Sequence, residues 1–333
     1  MDIKEVQNEL GEHWNGYHIA LVEALANDNI LLSQINTYLI NNAGKQLRPV
    51  LSLLAANACG AITLENYYCA AVCEMVHTAT LLHDDVADDG NMRRGVPTVK
   101  AVFNQAASVL AGDYWLARAL RQLTDKCPRG VLDCFALALQ ELSEGEIIQM
   151  EKAESLNTTE EDYYRIIARK TASLFIASVK GGAICAHASG DQIDAVTRYA
   201  YHLGLAFQIQ DDIFDYSPDL KTGKIAGSDI KERKITLPLL GAIFNNPAGT
   251  DYITRLISRI PNSIGKGEET GLQEKEIIDE VNDFVRHNKG IEYAQDALGK
   301  HSALACEALA AFPDTLAKER LCQLAEYVGK RSN

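Results

Sequence analysis

Proline is scarce in this chain: there are eight in 333 residues, and none falls inside the long Ala- and Leu-rich stretches. Proline breaks helix interiors, so its scarcity leaves room for long helices. No run of about 18 apolar residues occurs, which excludes a membrane-spanning helix. Positive charge is short as well, with 32 Lys and Arg against 45 Asp and Glu, a net −13. A nucleic-acid partner needs a basic patch, so that class is excluded as the main ligand. A small anion, which a few local Lys and Arg can hold, is not. No Cys-x-x-Cys occurs among the eight cysteines Cys59, Cys69, Cys73, Cys127, Cys134, Cys185, Cys306 and Cys322. Most sit in apolar, Ala-rich stretches, and no second pair joins Cys69 and Cys73 to complete a metal site. They read as reduced, buried thiols of a cytoplasmic protein rather than disulfides or zinc ligands. The polar start MDIKEVQNEL has no signal-peptide pattern. A period-2 strand and a G-x-G-x-x-G crossover are both missing. A Walker loop is ruled out, because no glycine stands five positions before Gly223 and no Ser or Thr follows Lys224.

What is present reads as helix after helix. Stretches such as TLENYYCAAVCEMVHTATLLHDDV and AVTRYAYHLGLAFQIQDDIFDY carry apolar residues at three- and four-residue spacing. Several are apolar nearly all round, which implies helices inside a bundle. Breaks are expected at Ala43-Gly44, Asp89-Gly90, Cys127-Pro128, Leu156-Asn157, Ser189-Gly190, Ser217 to Ser228, Asn246-Pro247 and Ile260 to Gly271. Thr159-Glu160-Glu161-Asp162 reads as a helix N-terminus, with acids that suit the dipole. The linker-like PNSIGKGEETG is short, so it reads as a surface loop and residues 1–333 as one domain. The expectation is an all-α protein of ordinary globular composition.

One acidic pattern occurs twice: Asp84-Asp85-Val86-Ala87-Asp88 and Asp211-Asp212-Ile213-Phe214-Asp215. Residues three and four apart share a helix face, so each copy gathers three carboxylates. One copy alone is equally well a solvated helix face. Two copies, each with an apolar lead-in and a basic cluster after it, are harder to read that way. Clustered carboxylates repel unless cations hold them. Hard oxygen ligands favour Mg²⁺, which takes one or two carboxylates together with phosphate oxygens and water.

Such a site needs donors for its anion. The basic clusters are Gly44-Lys45-Gln46-Leu47-Arg48-Pro49, Arg93-Arg94-Gly95, Lys170-Thr171, and Lys221, Lys224, Lys231 and Lys234. Together with the acidic motifs they form an ordered set: G-K-x-x-R-P, H-T-A-T-L-L-H-D-D-V-x-D-D, M-R-R-G, G-E-x-x-Q, K-T-A-x-L-F, F-Q-x-x-D-D-x-x-D, G-S-D and K-x-T-L-P. From Lys45 to Pro238 the set resembles the trans-type isoprenyl diphosphate synthases, the polyprenyl synthetase family, and within it the long-chain bacterial members.

The resemblance implies the isoprenoid synthase fold, an all-α bundle around a deep central cavity, in a homodimer. It implies Mg²⁺-dependent head-to-tail condensation of isopentenyl diphosphate with an allylic diphosphate, geranyl or farnesyl, through an allylic carbocation. Three Mg²⁺ ions, with Mn²⁺ as a substitute, would be held by Asp84, Asp85, Asp88, Asp211, Asp212 and Asp215. Arg93, Lys170, Thr171, Gln208, Lys224 and Lys234 match the family's contacts to the allylic diphosphate, with Lys170 and Lys224 in the catalytic set. Lys45, Arg48, His77 and Arg94 match its isopentenyl diphosphate positions. A greasy product is compatible with peripheral membrane contact.

Departures and rivals are few. Gln46 stands where the family has a basic residue. Asp89 extends the first motif, but lies about 100° round the helix from Asp88. His83 either orients Asp84 or packs. Glu74-x-x-His77 matches half of a di-iron site, but no second Glu-x-x-His exists. Asp85 to Val96 fails as a Ca²⁺ loop because Ala87 and Val96 occupy ligand positions. Complete acidic motifs argue against a terpene cyclase and against an inactive regulatory subunit. Members of this family that stop at short products tend to carry bulky aromatics four or five positions before the first Asp. Here those positions hold small Thr80 and Ala79, with Val76 a turn deeper, so the resemblance implies an open floor below Asp84 and a product of roughly C30 to C50, the quinone side-chain type. The alternative is a C15 or C20 farnesyl or geranylgeranyl product.

Overall fold

The computed structural model describes residues 2–93, 95–216, 227–260 and 271–330. Helices account for most of it, which bears out the all-α expectation. Among the described residues the strands are two short ones, Met92–Arg93 and Val96–Pro97, paired antiparallel. Sequence periodicity could not reveal them, because each is two residues long. Gly95 turns the hairpin at a φ of +79°, a conformation that costs a glycine little. No helix among the described residues is long and apolar enough to cross a membrane.

The chain folds as two compact units. The first comprises 1–138, 174–200 and 308–324. Its centre is the helix Leu64–Ala87, which packs on Glu12–Leu25, Leu47–Cys59 and Gln105–Lys126. That helix starts with a capping box between Thr63 and Asn66, which satisfies two of the backbone groups a helix start leaves unpaired. Cys69, Ala70, Ala71, Val72, Cys73, Met75 and Ala79 are all fully buried on it. Each large apolar side chain so buried stabilises the fold by about 1.5–3 kcal/mol. Small Ala and Cys let neighbouring helices pack closely against its middle turns.

The second unit comprises 139–173, 201–307 and 325–333. Its core includes Tyr216, Ile230, Leu239, Ile253, Ile257, Val281 and Val285. The expected helix start is present: Thr159 and Asp162 form a capping box before Glu160–Ile167. The Lys152 ammonium and the Thr159 donors hold the Asp162 carboxyl down at about 2. The helix then passes through one π-helical turn, Ala168–Ala172, before Ser173–Cys185. The expected breaks at Ala43-Gly44, Asp89-Gly90, Cys127-Pro128 and Leu156-Asn157 fall between helices, and those at Ser189-Gly190 and Asn246-Pro247 fall at the start of one, with Gly190 and Pro247 each opening the next helical segment. Those from Ser217 to Ala226 and from Pro261 to Thr270 lie outside the described residues.

Candidate active site

The first acidic motif closes its helix. Leu64–Ala87 ends at Asp88, and Asp89 turns left-handed at a φ of +53°. The Gly90 amide donates to the Asp85 carbonyl at 3.0 Å and the Asp89 amide to the Val86 carbonyl at 3.3 Å. This is a Schellman ending with aspartate in the position that usually holds glycine. Asp89 is therefore outside the helix, exposed, and paired with Lys100. Asp84 and Asp85 lie on the last turn, with Asp85 buried and Asp88 exposed. The hairpin returns Arg93 over that turn, and its Nε donates to Asp85 Oδ1 at 2.8 Å. Arg94 lies outside the described residues.

A small cavity of about 70 Å³ is lined by Gly44, Glu74, His77, Leu81, Asp85 and Arg93, among others. It brings His77 into the same lining as Gly44 and as Asp85 of the first motif. The Arg48 guanidinium sits 4.7 Å from the centre of the Phe175 ring, an arrangement that favours the cation over an aromatic face. Gln46 has its own structural task. At a φ of +50° it donates through Nε2 to the hydroxyl of fully buried Tyr17 at 2.7 Å. His83 packs: it stands 3.3 Å from Asp113 Oδ1, and a Cβ on Gly112 would lie 2.4 Å from its ring. Val76, Ala79 and Thr80 are buried, Thr80 the least at 9% exposure.

The second acidic motif also closes its helix, Gly190–Asp215. Asp211 is half-buried, while Asp212 and Asp215 are buried. Asp212 accepts from the Tyr163 hydroxyl at 2.6 Å and from Gln208 Nε2 at 2.9 Å. Thr171 Oγ1 in turn donates to Gln208 Oε1 at 2.6 Å. Burial pushes the Asp212 carboxyl well above the usual carboxylate range, and the charges of Asp211 and Asp215 push the same way. Asp215 caps the following turn. Its Oδ1 accepts from the Ser228 amide and hydroxyl at 3.1 and 2.6 Å, and its Oδ2 from the Asp229 amide at 2.9 Å. This explains the G-S-D motif: it is the turn that Asp215 holds.

Lys170 projects from the π-helical turn. Its Nζ lies 2.5 Å from Glu146 and 2.7 Å from Gln149 Oε1, so the G-E-x-x-Q motif holds that lysine. Close approach is built into the turn. A Cβ on Gly145 would lie 2.9 Å from the Lys170 nitrogen, and one on Gly204 would lie 2.5 Å from Ala172 Cα. Burial alone would lower the Lys234 pKa, but the neighbouring carboxylates of Glu232 and Asp229 outweigh it and hold the ammonium charged. Lys224 lies outside the described residues. Sequence reasoning missed Tyr163, Glu146 and Gln149 as partners of site residues. The spacing of Tyr163, one turn past the Thr159 cap and seven residues before Lys170, was the available signal.

Neither acidic helix has a basic residue in its last turn. A helix C-terminus already carries partial negative charge, which disfavours carboxylates there. Both motifs therefore sit where the backbone itself increases the demand for cations. Carboxylate oxygens are hard donors of the kind Mg²⁺ and Ca²⁺ take.

Comparison with known proteins identifies the family of the chain. Residues 29–270 match the family model described as polyprenyl synthetase. The chain is 34% identical over 332 residues, 99% of both chains, to the octaprenyl diphosphate synthase of Escherichia coli (strain K12). It is 32% identical, with 90% of each chain covered, to a geranylgeranyl diphosphate synthase of Saccharolobus solfataricus. A solved polyprenyl synthase from Caulobacter crescentus CB15, complexed with calcium and isoprenyl diphosphate, superposes with a TM-score of 0.88. It is 31% identical, with 99% of this chain and 98% of that one covered. The helical architecture is thus the isoprenoid synthase fold. With the family model spanning most of the chain and a relative matching it end to end, the chain belongs to the polyprenyl synthetase family of prenyltransferases.

Proposed function

We propose that the protein condenses isopentenyl diphosphate head-to-tail with geranyl or farnesyl diphosphate in a Mg²⁺-dependent reaction, giving an all-trans polyprenyl diphosphate of roughly C30 to C50. The observation that carries the reading is the placement of both D-D-x-x-D motifs at the C-termini of helices whose own last turns hold no basic residue. Asp84, Asp85, Asp88, Asp211, Asp212 and Asp215 are the ligand set for the metal. Bound divalent cations would neutralise charge developing on the departing diphosphate. Arg93, Lys170, Lys224 and Lys234 supply charge to the oxygens of the allylic diphosphate. Thr171 and Gln208 act beside them through the hydrogen bonds they make to each other and to Asp212. Lys45, Arg48, His77 and Arg94 hold isopentenyl diphosphate, with His77 fixed in the cavity that Asp85 and Arg93 also line. The isopentenyl double bond attacks the allylic cation, and the proton released goes to the freed diphosphate.

Residues 1–333 act as one polyprenyl synthetase domain, in a homodimer. A cytoplasmic setting suits eight cysteines that are all free thiols. A long product is favoured by end-to-end similarity to an octaprenyl synthase and by small Ala79 and Thr80. A C20 product is the second reading, supported by the geranylgeranyl relative. The test is a product assay with purified protein, Mg²⁺, labelled isopentenyl diphosphate and farnesyl diphosphate. The expected result is a ladder ending between C30 and C50 that EDTA abolishes. A ladder ending at C15 or C20 overturns the long-chain reading, and incorporation that survives EDTA overturns the metal dependence.

A further inference from the structure

Tyr163 is the fourth residue of the Glu160–Ile167 helix, and its entire side chain is buried. The capping box at Thr159 fixes where that helix begins, and so fixes which way Tyr163 faces. Its ring packs edge-on against Tyr164, with centroids 5.5 Å apart. A buried tyrosine hydroxyl needs a partner, and a backbone carbonyl would serve. Here the partner is a carboxylate of the second acidic motif, Asp212 Oδ2, at 2.6 Å. That distance is short for an O–H···O bond and within the range found where a hydroxyl donates to a carboxylate. The other oxygen, Oδ1, takes the Gln208 amide, and Thr171 orients that amide by occupying its oxygen.

We infer that Tyr163 is a positioning residue for the metal site: with Gln208 it clamps the Asp212 carboxylate from both oxygens and so sets the orientation in which the second acidic motif meets its cations. This rests on the Mg²⁺-dependent reading above. Carboxylates that bind metals are themselves held by hydrogen bonds from outside the ligand set, and losing one such bond typically weakens metal affinity or activity 10- to 100-fold. A hydroxyl that only filled the core would affect folding and leave metal affinity alone.

Tyr163→Phe removes the hydroxyl and keeps the ring. The measurement is calorimetric titration of Mg²⁺ into the full-length enzyme loaded with farnesyl thiolodiphosphate, an unreactive analogue, alongside the Mg²⁺ midpoint for condensation. Both are expected to weaken roughly tenfold or more. In an Asp212→Asn background the same change should add nothing further, since residues acting through one contact are not additive. Wild-type Mg²⁺ affinity in Tyr163→Phe overturns the inference, as does a full additive loss in the double variant. If Tyr163→Phe does not fold, Gln208→Met removes the opposing donor. Weakened Mg²⁺ binding there supports the clamp, and unchanged binding overturns it. Condensation by the unaltered protein that needs no Mg²⁺ would sink the functional reading itself, a result distinct from the failure of the clamp alone.

Discussion

Lys170 is held at its tip by Glu146 and Gln149, a pair of acceptors that aims the ammonium. Replacing it with Met keeps the stem and removes the charge. The expected loss is roughly 100-fold in kcat/KM for the allylic substrate, about 2.7 kcal/mol of transition-state stabilisation. Thermal stability should barely change, because a half-exposed ion pair contributes little. Steady-state kinetics showing less than a threefold loss would remove Lys170 from the catalytic set. His301 makes a different residue-level prediction. Its Nδ1 lies 3.0 Å from that of His202. Burial lowers its pKa first, and the His202 and Lys300 charges add to that, bringing it to about 4. The folded state thus binds this proton less readily than the unfolded chain does. Its contribution to stability is complete above the ordinary histidine range and is lost as pH falls towards 4. Urea unfolding at pH 7.5, 5.5 and 4.5 should show that loss, and it should be smaller in His301→Gln. An equal loss in both proteins would mean that other groups titrate. At this scale the two acidic motifs were legible in the sequence as repeated D-D-x-x-D spacing, whereas Arg93 and Lys170 stood out only as basic clusters to which the family resemblance gave a role. The bond from Tyr163 to Asp212 was not legible, because it joins positions 49 apart that only tertiary packing brings together.

Elements show the same division. Helix periodicity and the Thr159 capping box could be read directly, since both are local rules. The hairpin at Met92–Pro97 and the π-helical turn at Ala168–Ala172 could not: each is a handful of residues whose form depends on what lies against it. For the π-helical turn, Gly145 and Gly204 are the reason it can be approached so closely. Gly204→Ala puts a methyl 2.5 Å from Ala172 Cα, against backbone that cannot rotate away. Overpacking of this kind costs about 1–3 kcal/mol, and the turn that must shift is the one bearing Lys170 and Thr171. Loss of denaturant stability together with reduced turnover is therefore expected. Gly299→Ala is the contrasting case. It lies exposed inside the Gly290–Ala308 helix with nothing within 4 Å of an added Cβ. There the gain in helix propensity is about 0.5–1 kcal/mol, read as a raised urea midpoint at unchanged activity. If both substitutions behaved alike, crowding at the π-helical turn would not be what distinguishes Gly204.

For the whole molecule the open quantity is how long a chain it makes, and the structure sharpens how to ask. By size alone Ala79 and Thr80 are interchangeable small residues below the first motif. They are not equivalent in the fold. Ala79 has no exposed surface at all, whereas Thr80, though buried, keeps 9% exposure and lies four residues before Asp84, on the same helix face. Thr80→Phe is therefore expected to shorten the product ladder, moving its end towards C15 or C20, with a modest change in stability. Ala79→Tyr should instead cost stability, about 1–3 kcal/mol from overpacking, with less effect on the ladder. The check is product length by chromatography beside urea unfolding for both variants. Shortening by Ala79→Tyr with Thr80→Phe silent would reverse the assignment of faces. An unchanged ladder in both would place the length-limiting residues elsewhere in the chain, and small size at these two positions would then carry no information about the product.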